Sequence, residues 1–358
     1  MRFQESIHKA IQGFTLTPAI SIVCGLLIVT SVCLAAGDTW TKKADMPTAR
    51  WHIPAVAVND RIYVIGGYDG QQYTTAVEEY DPVKDRWVRK SDMPTARQLL
   101  NSASAVDGKI YAIGGWDQAN VLSTVEEYDP TTDTWTKKAD MPTARCHLST
   151  CAVNGKIYAI GGLSGDVVDI FHSTTEEYDP ATDTWTTKAD MPTARAGLGT
   201  AVVNGKIYAI GGEMGQFGAG GTVLAAVEEY DPILDVWVKK ADMPTAIMSF
   251  ATCAVDDRIY AIGGVTNKIP GQGWIVLSTL YEYDPATDKW AKKDDMSTAR
   301  CAFAATAVNG RIYAIGGDPV PNVGEPLSIV EEFDTGFAAT VKPMHKLATT
   351  WGSVKRGR

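Results

Sequence analysis

Histidine is scarce here, with five in 358 residues. His8 lies in the N-terminal segment, which leaves His52, His147, His172 and His345 for any chemistry in the rest of the chain. A metal centre needs several ligands at about 2 Å, and these four do not cluster in the sequence, although His52 and His147 hold equivalent places in two repeats. An excess of positive charge is also missing. Lys and Arg number 33 against 42 Asp and Glu, a net charge of −9, which disfavours nucleic acid and anionic lipid as electrostatic partners. No basic stripe runs through the repeats, and only the tail 342–358 carries five Lys/Arg with no acid.

The first residues differ in kind from the rest. Arg2 and Lys9 precede an apolar stretch from Pro18 to Leu34, followed by the small residues Ala35, Ala36 and Gly37. This pattern predicts an export signal over 1–37, cut before Asp38, and an exported (periplasmic or extracellular) mature protein. A lipoprotein signal is disfavoured by Thr30-Ser31-Val32 ahead of Cys33. The alternative is an uncleaved anchor of roughly seventeen apolar residues, marginal for crossing a bilayer, in which case the membrane is met only through this segment.

Removing the leader takes Cys24 and Cys33 with it and leaves Cys146, Cys151, Cys253 and Cys301. Four cysteines in an exported chain allow three disulfide pairings, yet all four fall in the first strand of their repeats, and none has a partner at the same height on an adjacent repeat. They are expected to be buried thiols.

Repetition dominates what remains. Double glycines recur at Gly66/Gly67, Gly114/Gly115, Gly161/Gly162, Gly211/Gly212, Gly263/Gly264 and Gly316/Gly317, a period of 47 to 53 residues. Such a period built of short β runs indicates an array of one supersecondary unit. Each unit opens on a run like Met-Pro-Thr-Ala-Arg and crosses a strand like Ile-Tyr-Ala-Ile-Gly-Gly. A variable segment follows, then Glu-Glu-Tyr-Asp-Pro and a Trp seven residues after the Tyr, as from Tyr80 to Trp87. Pairs such as Asn154-Gly155 between apolar runs tolerate the positive φ of a two-residue hairpin. Asp-Pro-x-x-Asp sets a tight turn before the Trp strand. Four strands per unit, repeated six times, imply a propeller, in which radial stacking leaves few open sheet edges.

The Gly-Gly ending the second strand, the Tyr six residues before the Thr that precedes Trp, and the Trp itself resemble the kelch repeat, from Trp40 to about Phe333. The resemblance implies an all-β, six-bladed β-propeller with four antiparallel strands per blade over 38–341, followed by the basic tail 342–358. It does not imply one activity: most kelch propellers resemble binding modules and a few are enzymes, and fold alone does not choose. Closure is expected from the N-terminal strand. Asp38 to Lys43 has the sequence of a fourth strand with no first three, and the sixth unit lacks its Trp after Phe333. Blade two runs 21 residues from Met93 to Gly114 where the others run 20, which predicts a β-bulge at Gln98 to Asn101.

Positions alike in all six units serve the architecture, and positions that differ are free for function. Arg50, Arg97, Arg145, Arg195 and Arg300 would form most of a ring at the channel mouth, and kelch adaptors that bind acidic peptides use arginines there. Against this, unit five has Ile247 for Arg and Tyr281 for the first Glu of Glu-Glu-Tyr. Joint loss is what an ion pair within the blade predicts, because one partner alone would be a stranded buried charge. Variation concentrates in the residue after this Arg (Trp51, Gln98, Cys146, Ala196, Met248, Cys301) and in the loop after Gly-Gly, on the same face. That loop carries Tyr68, Trp116, Asp117, Phe171, His172, Glu213, Phe217, Trp274 and Asp318, and exposed aromatics beside acids on long loops suit recognition. The expected activity is a non-catalytic binding module for a protein or glycan, without cofactor or metal. The alternative is a carbohydrate-active enzyme of the kelch mutarotase kind, with Glu213 and His172 as the proton-transfer pair. The Asp-x-x-x-Asp turn falls short of a calcium loop.

Overall fold

The computed structural model describes residues 37–98, 101–165, 170–215, 221–269, 273–321 and 325–337. The leader, Phe217 and the basic tail lie outside the described residues. Strand β1 is Thr39–Lys42, and the first blade is β2 (Ala55–Val58), β3 (Arg61–Ile65), β4 (Val77–Asp81) and β5 (Arg86–Arg89), hydrogen-bonded in that order. Four further sheets repeat this meander. In the sixth the order is Ala304–Val308, Arg311–Ile315, Val330–Asp334 and then β1, so the N-terminal strand closes the ring as expected. Trp40 pairs with Phe333 across that seam, ring centroids 5.1 Å apart.

Burial explains the stack. In β3 the run Ile62 to Ile65 is buried throughout, whereas β5 is largely exposed. A strand covered on both faces reads as a continuous apolar run. The cores accordingly lie between blades: Ile62, Val64 and Tyr80 of blade one pack with Tyr313, Ile315 and Val330 of blade six.

Two repeated devices join neighbouring blades. The second glycine of each pair donates its N–H to the carbonyl of the next blade's Arg position, from Gly67 to Arg97 at 3.0 Å and from Gly317 to Arg50 at 2.9 Å. Gly67 sits at φ +94°, and a Cβ there would fall 2.7 Å from the Trp51 carbonyl oxygen, so no larger residue fits. On the outer rim, Asp85 accepts the N–H of Ala44 at 2.8 Å while the Trp87 indole donates to the carbonyl of the same residue at 3.0 Å. The Tyr80 hydroxyl holds the Asp85 carboxylate at 2.6 Å. Both acids of the turn are thereby occupied, because Asp81 accepts the N–H groups of Val83 and Lys84 and pairs with Arg61.

The β-bulge expected at Gln98 to Asn101 falls on residues 99 and 100, which lie outside the described residues. The ladder from Ala103 to Val106 against Lys109 to Ala112 is regular. Just ahead of that strand, Asn101 reaches across the propeller axis, where its side-chain amide donates to the carbonyls of Leu198 and Phe250, each at 3.2 Å.

Candidate functional site

The residue after each Arg pairs by backbone with the residue after Gly-Gly: Trp51 with Tyr68, Gln98 with Trp116, Cys146 with Leu163, Ala196 with Glu213, Met248 with Val265 and Cys301 with Asp318. The two variable positions are thus brought side by side in all six blades. The longer loops add two-stranded ribbons, Leu163–Ser164 with Ile170–Phe171, Glu213–Met214 with Thr222–Val223, and Val265–Ile269 with Gly273–Val276.

Five consecutive blades are laced around the axis by four backbone bonds. His52 donates to Ala302 at 2.7 Å, Ala302 to Ser249 at 2.8 Å, Ser249 to Gly197 at 2.9 Å and Gly197 to His147 at 2.9 Å. The lacing opens at blade two, where Thr150 donates to Asn101 instead. Above it lies a cavity of 190 Å³ bounded by residues of five blades, with Trp51, Tyr73, Trp116 and Trp274 as its aromatic walls and Asp318 among its polar ones. Below it a polar space of 60 Å³ is lined by Asn101, Ser149, Thr150, Thr200 and Thr252. Asn101 lines this lower space and not the cavity above it.

In the gap of the lacing, Gln98 bridges two histidines, from the His52 ring to His147 Nε2, the latter at 3.5 Å. Burial pulls the His52 pKa down to about 4 and that of His147 to about 3, with the neighbouring His52 adding to the second shift. A chain of edge-to-face contacts continues outward: His147 with His52 at 5.2 Å, His52 with Trp51 at 4.4 Å, Trp51 with Tyr68 at 5.1 Å, Tyr68 with Tyr73 at 5.4 Å and Tyr73 with Trp116 at 5.6 Å. The indole Nε1 of Trp51 is buried, with no hydrogen-bond partner among the described residues.

Of the residues singled out from the sequence, Trp51, Gln98, Trp116, Trp274 and Asp318 line the cavity. Tyr68 and Phe171 support it from behind, the first through Trp51 and Tyr73, the second by packing with Cys146 and Leu163. Asp117 turns its carboxylate onto the N–H groups of Ala119 and Asn120 and shapes its own loop. His172 bonds Ser164 at 2.7 Å and Glu213 is fully buried; neither lines the cavity. The placement of the arginines at the channel mouth is corrected. Arg50, Arg97, Arg145, Arg195 and Arg300 are 0% exposed, and each meets its Glu partner within the blade, at 2.7 Å for Arg50–Glu78 and Arg145–Glu176, 2.9 Å for Arg97–Glu126, 3.1 Å for Arg195–Glu228, and in Arg300–Glu331. Tyr73 is a cavity residue with no repeat signal; a second aromatic beside Tyr68 in a short loop was the only mark it left.

The chain matches the KLHDC2/KLHL20/DRC7 kelch-repeats domain over 32–162 and 139–317, and the kelch motif again over 299–337. It belongs to the kelch-repeat family. Alpha-scruin of Limulus polyphemus is 35% identical over 117 residues, 32% of this kelch chain and 13% of scruin. Human Kelch-like protein 34 is 37% identical over 125 residues, 34% of this chain and 18% of that protein. The matches thus span under a fifth of those relatives. A solved structure titled "Structure of YjhT" shares the fold, with a TM-score of 0.70 and 20% identity over 80% of this kelch chain and 95% of that one. Cys146, Cys151, Cys253 and Cys301 are buried thiols, and none of them forms a disulfide among the described residues.

Proposed function

We propose that this kelch propeller is a non-catalytic interaction module that holds a protein partner against its loop-bearing face. The observation that carries it is the pairing of the variable positions on one face in all six blades, several of them lining one aromatic-walled mouth, while the opposite face repeats nearly identical two-residue turns. Kelch propellers are typically protein-interaction modules, and a rigid scaffold presenting variable loops is the usual arrangement for recognition.

The test is a peptide and glycan array probed with residues 38–358. Peptide binders are expected, and Trp116→Ala and Trp274→Ala are each expected to weaken binding by ~2 kcal/mol or more, roughly thirtyfold, as loss of a central aromatic anchor does. Substitutions at Asn154 or Asn204, in the opposite turns, are expected to be neutral. Glycan binding alone, or sensitivity at Asn154 and Asn204 with neutral tryptophans, overturns the reading.

Export belongs to the same proposal, supported by the charged start, apolar stretch and small residues that end at Gly37. N-terminal sequencing of the protein produced in a secreting host is expected to begin at Asp38; retention of Met1 would refute cleavage.

A further inference from the structure

The mouth has a sign of charge. In sequence, the six loops that follow Gly-Gly carry Asp69, Asp117, Asp166, Asp169, Glu213, Asp318 and Glu325 against a single Lys268. Asp318 is the charged side chain among the described residues lining the 190 Å³ cavity, and no Lys or Arg lines it. The arginines beneath this face are sealed in the blades against glutamates. His52 and His147 are buried and hold no positive charge near neutral pH. Around this acidic mouth stand Trp51, Tyr73, Trp116 and Trp274, whose ring faces carry negative quadrupole density that attracts a cation, more strongly where water is excluded, and repels an anion.

We propose that the mouth receives a cationic side chain, lysine or arginine, from an extended segment of the protein partner, its aliphatic stem against the tryptophans and its charged head toward Asp318. Size agrees with one side chain rather than a folded element, since a cavity of about 150 Å³ admits a benzene ring and this one measures 190 Å³. Asp318 is held in place for the role: its carboxylate accepts the Val320 N–H at 2.8 Å and its backbone pairs with Cys301. The inference rests on the interaction-module reading and adds the chemistry of the inserted group.

The experiment titrates residues 38–358 with three blocked amino acids, the Nα-acetyl methylamides of lysine, norleucine and glutamate, followed by tryptophan fluorescence. Lysine is expected to bind about tenfold more tightly than the uncharged norleucine of similar length, and glutamate more weakly than either. Trp116→Leu, which keeps apolar bulk but removes the ring, is expected to abolish the lysine preference and leave norleucine nearly unchanged. Asp318→Asn is expected to act in the same direction, and the wild-type comparison of ligands stands even if that buried substitution impairs folding. Equal binding of lysine and norleucine, tighter binding of glutamate, or no saturable binding of lysine overturns the inference. Array peptides captured at the mouth without a basic preference would sink this inference and leave the interaction module standing. Lysine binding at the mouth with no peptide or protein captured would do the reverse.

Discussion

Arg145 reaches over the Gly161 carbonyl, which it bonds at 2.6 Å, to place a guanidinium nitrogen 2.7 Å from the Glu176 carboxylate, with both side chains out of contact with water. Thr143 donates to the other carboxylate oxygen at 2.9 Å. In blade five the charges are gone, Ile247 is fully buried, and the Tyr281 hydroxyl takes the carboxylate's place beside Thr245 at 3.0 Å. Blade five therefore shows the neutral solution to the same packing problem. Glu176→Ala is expected to destabilise by about 3–5 kcal/mol, because it strands a buried guanidinium. Arg145→Ile with Glu176→Tyr, the blade-five pair, is expected to recover most of that loss. Urea unfolding of the single and double variants checks it, and a double variant no better than the single one would refute the exchange.

Ring closure rests on four residues. Thr39 to Lys42 pair with Glu331 to Asp334, and the Trp40 indole donates to the Asp294 carbonyl of blade five at 2.8 Å. Deleting 38–45 exposes the third strand of blade six and opens one inter-blade core. Loss of the single cooperative transition is expected in calorimetry; an unchanged melting curve would show the seam to be dispensable.

Asn101 offers a test of sign. Its amide donates to two carbonyls across the axis, and a carboxylate cannot. Asn101→Ala is expected to lose about 1–3 kcal/mol, and Asn101→Asp to lose more at neutral pH. Acidification is expected to restore part of the aspartate variant's stability as the carboxyl becomes a donor. Equal stability of the alanine and aspartate variants at pH 7 would mean that these bonds do not stabilise the fold.

Two groups of residues set the acid limb. His52 and His147 titrate near 4 and 3 in the folded protein and near 6.5 when unfolded. The unfolded chain thus binds more protons between these values, so stability present above about pH 6.5 falls progressively as pH drops toward the folded pKa values. The Tyr178 hydroxyl and the Ala139 N–H hold Asp183 below its ordinary value, and Asp235 and Asp288 are held likewise by Tyr230 and Tyr283. Their contribution is present above the unfolded value of about 3.9 and is lost as pH falls further. Denaturant melts from pH 8 to 3 should show both declines. His147→Gln is expected to flatten the first and Asp183→Asn the second, and a first decline unaltered in His147→Gln would assign it elsewhere.

Much of this architecture is a property of the chain read one repeat at a time. The number of blades, the four strands in each, the closing strand and the Arg–Glu pairing were all legible, because they depend on local turn chemistry, alternation and spacing, and six copies within one chain expose what varies together. Ile247 with Tyr281 was enough to expect the ion pair before any distance was measured. The site was legible only as a set of variable positions. What joined Trp51, Tyr73, Trp116 and Trp274 into one wall is the radial arrangement, which brings residues far apart in sequence to one axis, and no local signal encodes which loop residues face it. Tyr73 faces the cavity, whereas His172 and Glu213 are absorbed by the packing of their own blades. The one-residue excess in blade two was countable in the sequence, but the bonds of Asn101 required the carbonyls of blades four and five to be within its reach. Spacing determines how much chain must be accommodated; only the closed ring decides what that chain meets.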